Sequence, residues 1–141
     1  MKEFFDTSVL VAAFWGGHRD HAASIKLLGA ANKKQSACAV HTLAEVYAAM
    51  TALPIRPILP PEQVILFVQE VRDRLTLAPL DENEYFETLQ QAANAGFTSG
   101  RVYDALILRC AVKVKAQTIY TWNLKHFQAI APGLAGRIRT P

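Results

Sequence analysis

The chain has 141 residues, 51% hydrophobic and 19% charged, with a formal net charge of +3. This composition suits a packed interior and argues against disorder, and the length predicts a single domain over 1–141. No apolar run approaches the roughly 18–20 residues that span a bilayer. Asp6 breaks the first apolar run, which also lacks a signal-peptide cleavage pattern, so a soluble, cytoplasmic protein with no membrane partner is expected. The mild basicity permits a polyanionic partner without requiring one.

Phe4-Phe5 reads as the end of a short buried strand. Thr7 to Trp15 predicts a helix closed by Gly16-Gly17. A second helix is expected from Asp20 to Ala31, with Ile25, Leu27 and Leu28 inward. Ser36–Val40 is a short apolar run and reads as a buried strand. Between Thr42 and Leu53, the residues Leu43, Val46, Tyr47 and Met50 recur at helical spacing and predict one buried face. Pro54, Pro57 and Pro60 mark a loop, and Pro61 suits the first turn of a helix that runs to Leu75. Thr76–Leu80 predicts a third strand, and Asp81–Ala95 predicts an amphipathic helix followed by Gly96. Arg101–Ala116 predicts a central helix, apolar on nearly all sides. Thr118–Trp122 predicts a fourth strand, Asn123–Ile130 a short helix and Arg137–Arg139 an edge strand. Strands alternating with helices imply an α/β fold with a parallel sheet covered on both faces. Cys38 and Cys110 form no C-x-x-C and read as small buried apolar residues, not zinc ligands.

Four polar residues break the pattern. Asp6 follows the first strand, Glu45 and Asp104 lie in the first turns of apolar helices, and Asn123 follows the fourth strand. Each has an ordinary explanation. Asp6 or Thr7 caps a helix, Thr42-Leu-Ala-Glu45 matches the S/T-x-x-E capping box, Asp104 complements a helix macrodipole, and Asn123 is a favourable N-cap. Together they admit another. In a parallel α/β sheet the strands end on one edge, the following helices start there, and ligands bind there. Acids converging on that edge raise one another's pKa values. A hard divalent cation, Mg²⁺ or Mn²⁺, would keep them ionised. The residues alone leave caps and cation both open.

Other chemistries lack their motifs. There is no G-x-G-x-x-G, no P-loop and no G-x-S-x-G elbow. Asp6-Thr7-Ser8 lacks the second acid of a D-x-D phosphatase. His18, His21 and His126 read as surface residues. The alternative is a metal contact for the first two and a substrate contact for His126.

The series D-T-S (6–8), T-L-A-E-V-Y (42–47), Y-D-A-L-I (103–107) and T-W-N-L-K-H-F (121–127) resembles the PIN domain. It looks most like the VapC-type toxin nucleases of prokaryotic toxin–antitoxin pairs, over essentially the whole chain. The resemblance implies a three-layer α/β/α Rossmann-like sandwich and a Mg²⁺- or Mn²⁺-dependent endoribonuclease. Asp6, Glu45 and Asp104 would be the metal-binding catalytic acids. Asn123 falls where the family often has a fourth acid, which weakens the case for a second metal. The resemblance also implies RNA as substrate, a homodimer and inhibition by a cognate antitoxin protein. Beside it, Thr7, Ser8 and Thr121 are candidates to orient a carboxylate or water. Arg101 and Lys125 are candidates to hold RNA phosphates at the rim. Trp15 and Trp122 are expected to be buried in packing, with base stacking as the alternative. Two further readings are a PIN nuclease of RNA processing without an antitoxin, and a catalytically weak module that binds RNA or a protein.

Overall fold

Neighbouring side chains on a strand point to opposite faces of the sheet, and both Phe4 and Phe5 are fully buried. Their strand must therefore be covered on two sides. The computed structural model describes residues 1–141 and shows how. β1 (Glu3–Phe5) is the middle strand of five, with β2 (Ser36–Ala39), β3 (Thr76–Ala78), β4 (Thr118–Tyr120) and β5 (Ile138–Arg139) in the order β3-β2-β1-β4-β5. All four pairings are parallel. Phe4 lies opposite Ala37 on one side and Ile119 on the other.

Parallel strands need long crossovers, and helices supply them. These are α1 (Thr7–Phe14), α2 (His21–Ala30), α3 (Thr42–Thr51), α4 (Pro61–Arg74), α5 (Glu82–Asn94), α6 (Arg101–Lys113) and α7 (Leu124–Ile130). Phe5 and Cys38 join one core with Val9 and Leu10 of α1, Val46 and Met50 of α3, and Val64 and Val71 of α4. Phe4, Ala37 and Ala39 join the other with Ile107 and Cys110 of α6 and Phe127 of α7. The result is the expected three-layer sandwich. Cys38 and Cys110 are both buried and free.

Several local expectations need correction. The strands are shorter than their apolar runs, because pairing stops where each chain turns into its helix at the sheet edge. The third stops at Ala78 and the fourth at Tyr120. Helix α6 stops at Lys113, not Ala116, with Lys115 in the left-handed region (φ 55°). It is not apolar all round. One face packs on the sheet, while Arg109 and Lys113 pair with Glu87 and Glu84 of α5. Ile25, expected inward, is 42% exposed, and Ser24 and Leu28 form the buried stripe of α2 instead. Ser24 takes that place because its hydroxyl accepts the indole N–H of Trp122 at 2.8 Å. Tyr47, also expected inward, is 37% exposed, because α3 buries Thr42, Val46 and Met50 at four-residue spacing.

The capping box also forms elsewhere than expected. His41, not Thr42, is the N-cap of α3, and no side chain caps that helix. The box expected at Thr42–Glu45 does not form. A full capping box forms at Asp81 instead, whose side chain accepts from Glu84 N while Glu84 accepts from Asp81 N.

Candidate active site

From β1 the chain winds outward to β2 and β3, then crosses to β4 and β5 on the other side. The boundary between β1 and β4 is therefore the topological switch point, where crevices form at the carboxyl ends of such sheets. Asp6 follows β1, and Thr121 to Asn123 follow β4.

Asp6 is 2% exposed. It occupies the N-cap position of α1 but makes no side-chain capping bond. Its Oδ2 instead accepts two hydroxyls, Ser8 Oγ at 2.7 Å and Thr121 Oγ1 at 2.8 Å. Trp122 N donates to Ser8 Oγ and Asn123 N to Thr121 Oγ1, each at 3.0 Å. The network locks the turn after β4 onto the turn after β1. Burial pushes the Asp6 carboxyl above its ordinary range, and the two hydroxyls offset part of that rise.

Glu45 and Asp104 reach the same edge from the first turns of α3 and α6. Burial, then the charges of Asp6 and Asp104, push Glu45 up to about 7, with the Thr7 hydroxyl acting in the opposite sense. Burial, then Asp6, push Asp104 up to about 6, while His126 acts in the opposite sense. The mutual effects place the three carboxylates within range of one another's fields. No lysine or arginine forms a salt bridge with any of them. Only His41 approaches one, at 3.6 Å from Glu45.

No three His, Cys, Asp or Glu side chains converge into a ready-made ligand set. The acids are coupled by charge rather than gathered about a point. Their donor set is nonetheless the hard-oxygen kind that suits Mg²⁺ or Mn²⁺. Glu45 Oε1 is buried without a hydrogen-bond partner, and such an atom ordinarily has one. The chemistry of these donors, rather than a gathered geometry, is what suits a hard divalent cation.

The other candidates divide. Ser8 and Thr121 orient Asp6 directly, whereas Thr7 Oγ1 is buried without a close hydrogen bond and bears on Glu45 instead. Asn123 is exposed at the N-cap of α7 and makes no capping bond through its side chain. Arg101 and Lys125 are exposed at the starts of α6 and α7, with the Arg101 guanidinium 5.4 Å from the centre of the Phe97 ring. His126 is exposed, and its charge reaches Asp104. His18 and His21 are tied into the turn before α2, His18 by Asp20 N and His21 by Ala12 O. Trp15 and Trp122 are half-buried against the core. Sequence reasoning passed over His41, although its spacing of four residues from Glu45 was a helical signal. An apolar cleft of about 370 Å³ between α5, α6 and α7 contains none of the acids.

Fold and site together define a doubly wound parallel α/β protein with an acidic edge at its switch point. The chain belongs to the PIN domain family, whose model matches residues 4–131. It is 33% identical over 102 residues to ribonuclease VapC40 of Mycobacterium tuberculosis, in both the CDC 1551 and H37Rv strains, covering 72% of each chain. Among solved structures it is similar in fold to VapC20 of M. tuberculosis, a sarcin-ricin loop cleaving toxin (TM-score 0.74, 14% identity, 91% of this chain and 95% of that one). It is also similar to VapBC-1 from nontypeable Haemophilus influenzae (TM-score 0.67, 17% identity, 99% and 98%). VapBC2 from Rickettsia felis, bound to a DNA fragment from its promoter, has the same fold (TM-score 0.62, 22% identity, 92% and 93%).

Proposed function

We propose that this chain is a VapC-type endoribonuclease, the toxin of a toxin–antitoxin pair, folded as one domain over 1–141. The observation that carries the reading is the trio Asp6, Glu45 and Asp104. All three are raised in pKa mainly by burial, none is paired with lysine or arginine, and they feel one another's charge along one edge of a PIN-family sheet.

Mg²⁺ or Mn²⁺ at these acids would supply Lewis acidity to activate water and charge to neutralise a phosphodiester. The protein's own residues prepare that place. Ser8 and Thr121 fix one oxygen of Asp6, and Asp104 and Glu45 complete a negatively charged mouth. Asn123 offers an amide to water or phosphate and adds no charge. Arg101 and Lys125 hold the RNA backbone at the rim, which makes binding salt-dependent. VapC40 is named a ribonuclease, and VapBC structures share the fold. These support an RNA substrate and an antitoxin protein partner for this chain; a homodimer is proposed from the family resemblance alone. No helix is long and apolar enough to cross a membrane.

Asn123 in place of an acid favours a second reading, a catalytically weak module that binds RNA or a protein. One experiment separates the two. Antitoxin-free protein is incubated with a structured RNA pool in Mg²⁺, Mn²⁺ or EDTA, beside Asp6→Asn. Cleavage that needs the cation and disappears in a folded Asp6→Asn supports the nuclease. Binding of RNA without cleavage under either cation favours the module.

A further inference from the structure

Four buried side-chain polar atoms in the chain have no hydrogen-bond partner: Thr7 Oγ1, His41 Nε2, Thr42 Oγ1 and Glu45 Oε1. Polar atoms at that depth are nearly always paired. The exceptions are not scattered. All four come from the first residue of α1 and the start of α3, beside the acidic edge. Two of the others are neighbours of the Glu45 carboxyl: the Thr7 hydroxyl bears on it, and His41 Nε2 lies 3.6 Å from Glu45 Oε1. A shift of roughly 0.6 Å would close an ordinary N–H···O bond.

The backbone explains the approach. His41 is the N-cap residue of α3 with helical dihedrals (φ −66°, ψ −15°), so the four-residue spacing stacks its ring over Glu45. The two side chains are only 22% and 29% exposed. The ring also neighbours the backbone of Tyr103, the residue before Asp104. His41 thus stands between the helix that carries one acid and the helix that carries another. The packing of α3 does not account for it, since Val46 and Met50 supply that face.

We propose that His41 is a positioning residue of the acidic site, donating from Nε2 to Glu45 Oε1 and so presenting the Glu45 carboxylate, alongside Asp104, to a divalent cation. This rests on the reading of Asp6, Glu45 and Asp104 as cation ligands. A carboxylate with one oxygen held by imidazole loses rotational freedom and offers its other oxygen in a fixed direction. The neutral tautomer protonated on Nε2 and the imidazolium both donate at that atom.

The test measures Mn²⁺ affinity from the EPR signal of free Mn²⁺, with RNA cleavage beside it, for wild type, His41→Ala, His41→Gln and Asp6→Asn. His41→Ala should weaken Mn²⁺ binding about 10- to 100-fold and lower kcat while leaving the KM for RNA unchanged. His41→Gln can donate an amide N–H to the same oxygen and should recover most of the affinity. Wild-type Mn²⁺ affinity in a folded His41→Ala overturns the proposal, as does a folded His41→Gln no better than His41→Ala. If His41→Ala does not fold, His41→Leu against His41→Gln makes the same comparison. Asp6→Asn separates the two layers. Loss of Mn²⁺ there with none in His41→Ala sinks the role of His41 alone, whereas unchanged binding in Asp6→Asn sinks the acidic site and His41 with it.

Discussion

Thr121 Oγ1 donates to Asp6 Oδ2 at 2.8 Å across 115 residues of sequence. The two meet because β4 lies directly beside β1, with Phe5 opposite Tyr120 in the register. The same hydroxyl accepts from Asn123 N, so one side chain ties the first acid to the start of α7. Thr121→Val keeps the shape and removes both bonds. It should cost about 1–3 kcal/mol, since a backbone N–H loses its partner inside the protein. It should also slow RNA cleavage about 10-fold or more. Urea unfolding and single-turnover cleavage measure the two effects. Thr121→Ser keeps the donor and should restore both.

Glu45 gives a prediction of opposite sign for stability and activity. Its carboxylate is buried among two other acids without a cationic residue to cancel it. Glu45→Gln removes that repulsion. In EDTA at pH 8 the variant should be more stable than wild type by about 1 kcal/mol. Its cation-dependent cleavage should fall by about 100-fold or more. A thermal melt in EDTA checks the first claim, and a variant that melts below wild type would contradict it.

The raised pKa values fix how metal-free stability varies with pH. Glu45 titrates near 7 in the folded chain against an ordinary 4.5, and Asp104 near 6 against 3.8. The folded state therefore holds protons that the unfolded state has released. The associated stability is fully present below the ordinary values and is lost as pH rises through about 6 and 7. After discounting for partial exposure, the loss between pH 5 and pH 8 should be about 1–3 kcal/mol. Urea midpoints in EDTA across that range should fall. Added Mg²⁺ should flatten the curve at its alkaline end, because the cation binds the ionised acids.

Trp122 tests whether an aromatic beside the site packs or stacks on bases. Its indole N–H donates to the fully buried Ser24 at 2.8 Å. Ser24→Val leaves that donor unpaired and should cost about 1–3 kcal/mol, with a measurable change in tryptophan emission. RNA affinity should be unchanged. A marked loss of RNA binding in folded Ser24→Val would instead assign the indole to the nucleic-acid surface.

Sequence by itself determined the class of fold, for a physical reason that is local. Short apolar runs such as Phe4-Phe5 and Ser36–Ala39 alternate with helical periodicities. Strands buried on both faces can be satisfied only by a parallel sheet with helices on each side. It also picked out Asp6, Glu45, Asp104 and Asn123 as polar groups at element starts, since carboxylates next to core segments are costly unless something compensates them. It did not decide which compensation operates. The spacing Thr42–Glu45 satisfied the capping-box pattern as well as Asp81–Glu84 does, yet only the second box forms. Nor did it decide that Ser24 rather than Ile25 faces inward, because the partner of Ser24 lies on a segment 98 residues away. Strand order decided the rest. By placing β4 against β1, the tertiary structure added the Thr121 hydroxyl to the local Ser8 hydroxyl on one oxygen of Asp6. The spacing of α3 set His41 beside Glu45, and the starts of α3 and α6 put the charges of Glu45 and Asp104 within reach of Asp6. The bond from Thr121 and the coupling among the three acids are long-range relations that no local periodicity encodes, whereas the His41–Glu45 contact follows from helical spacing.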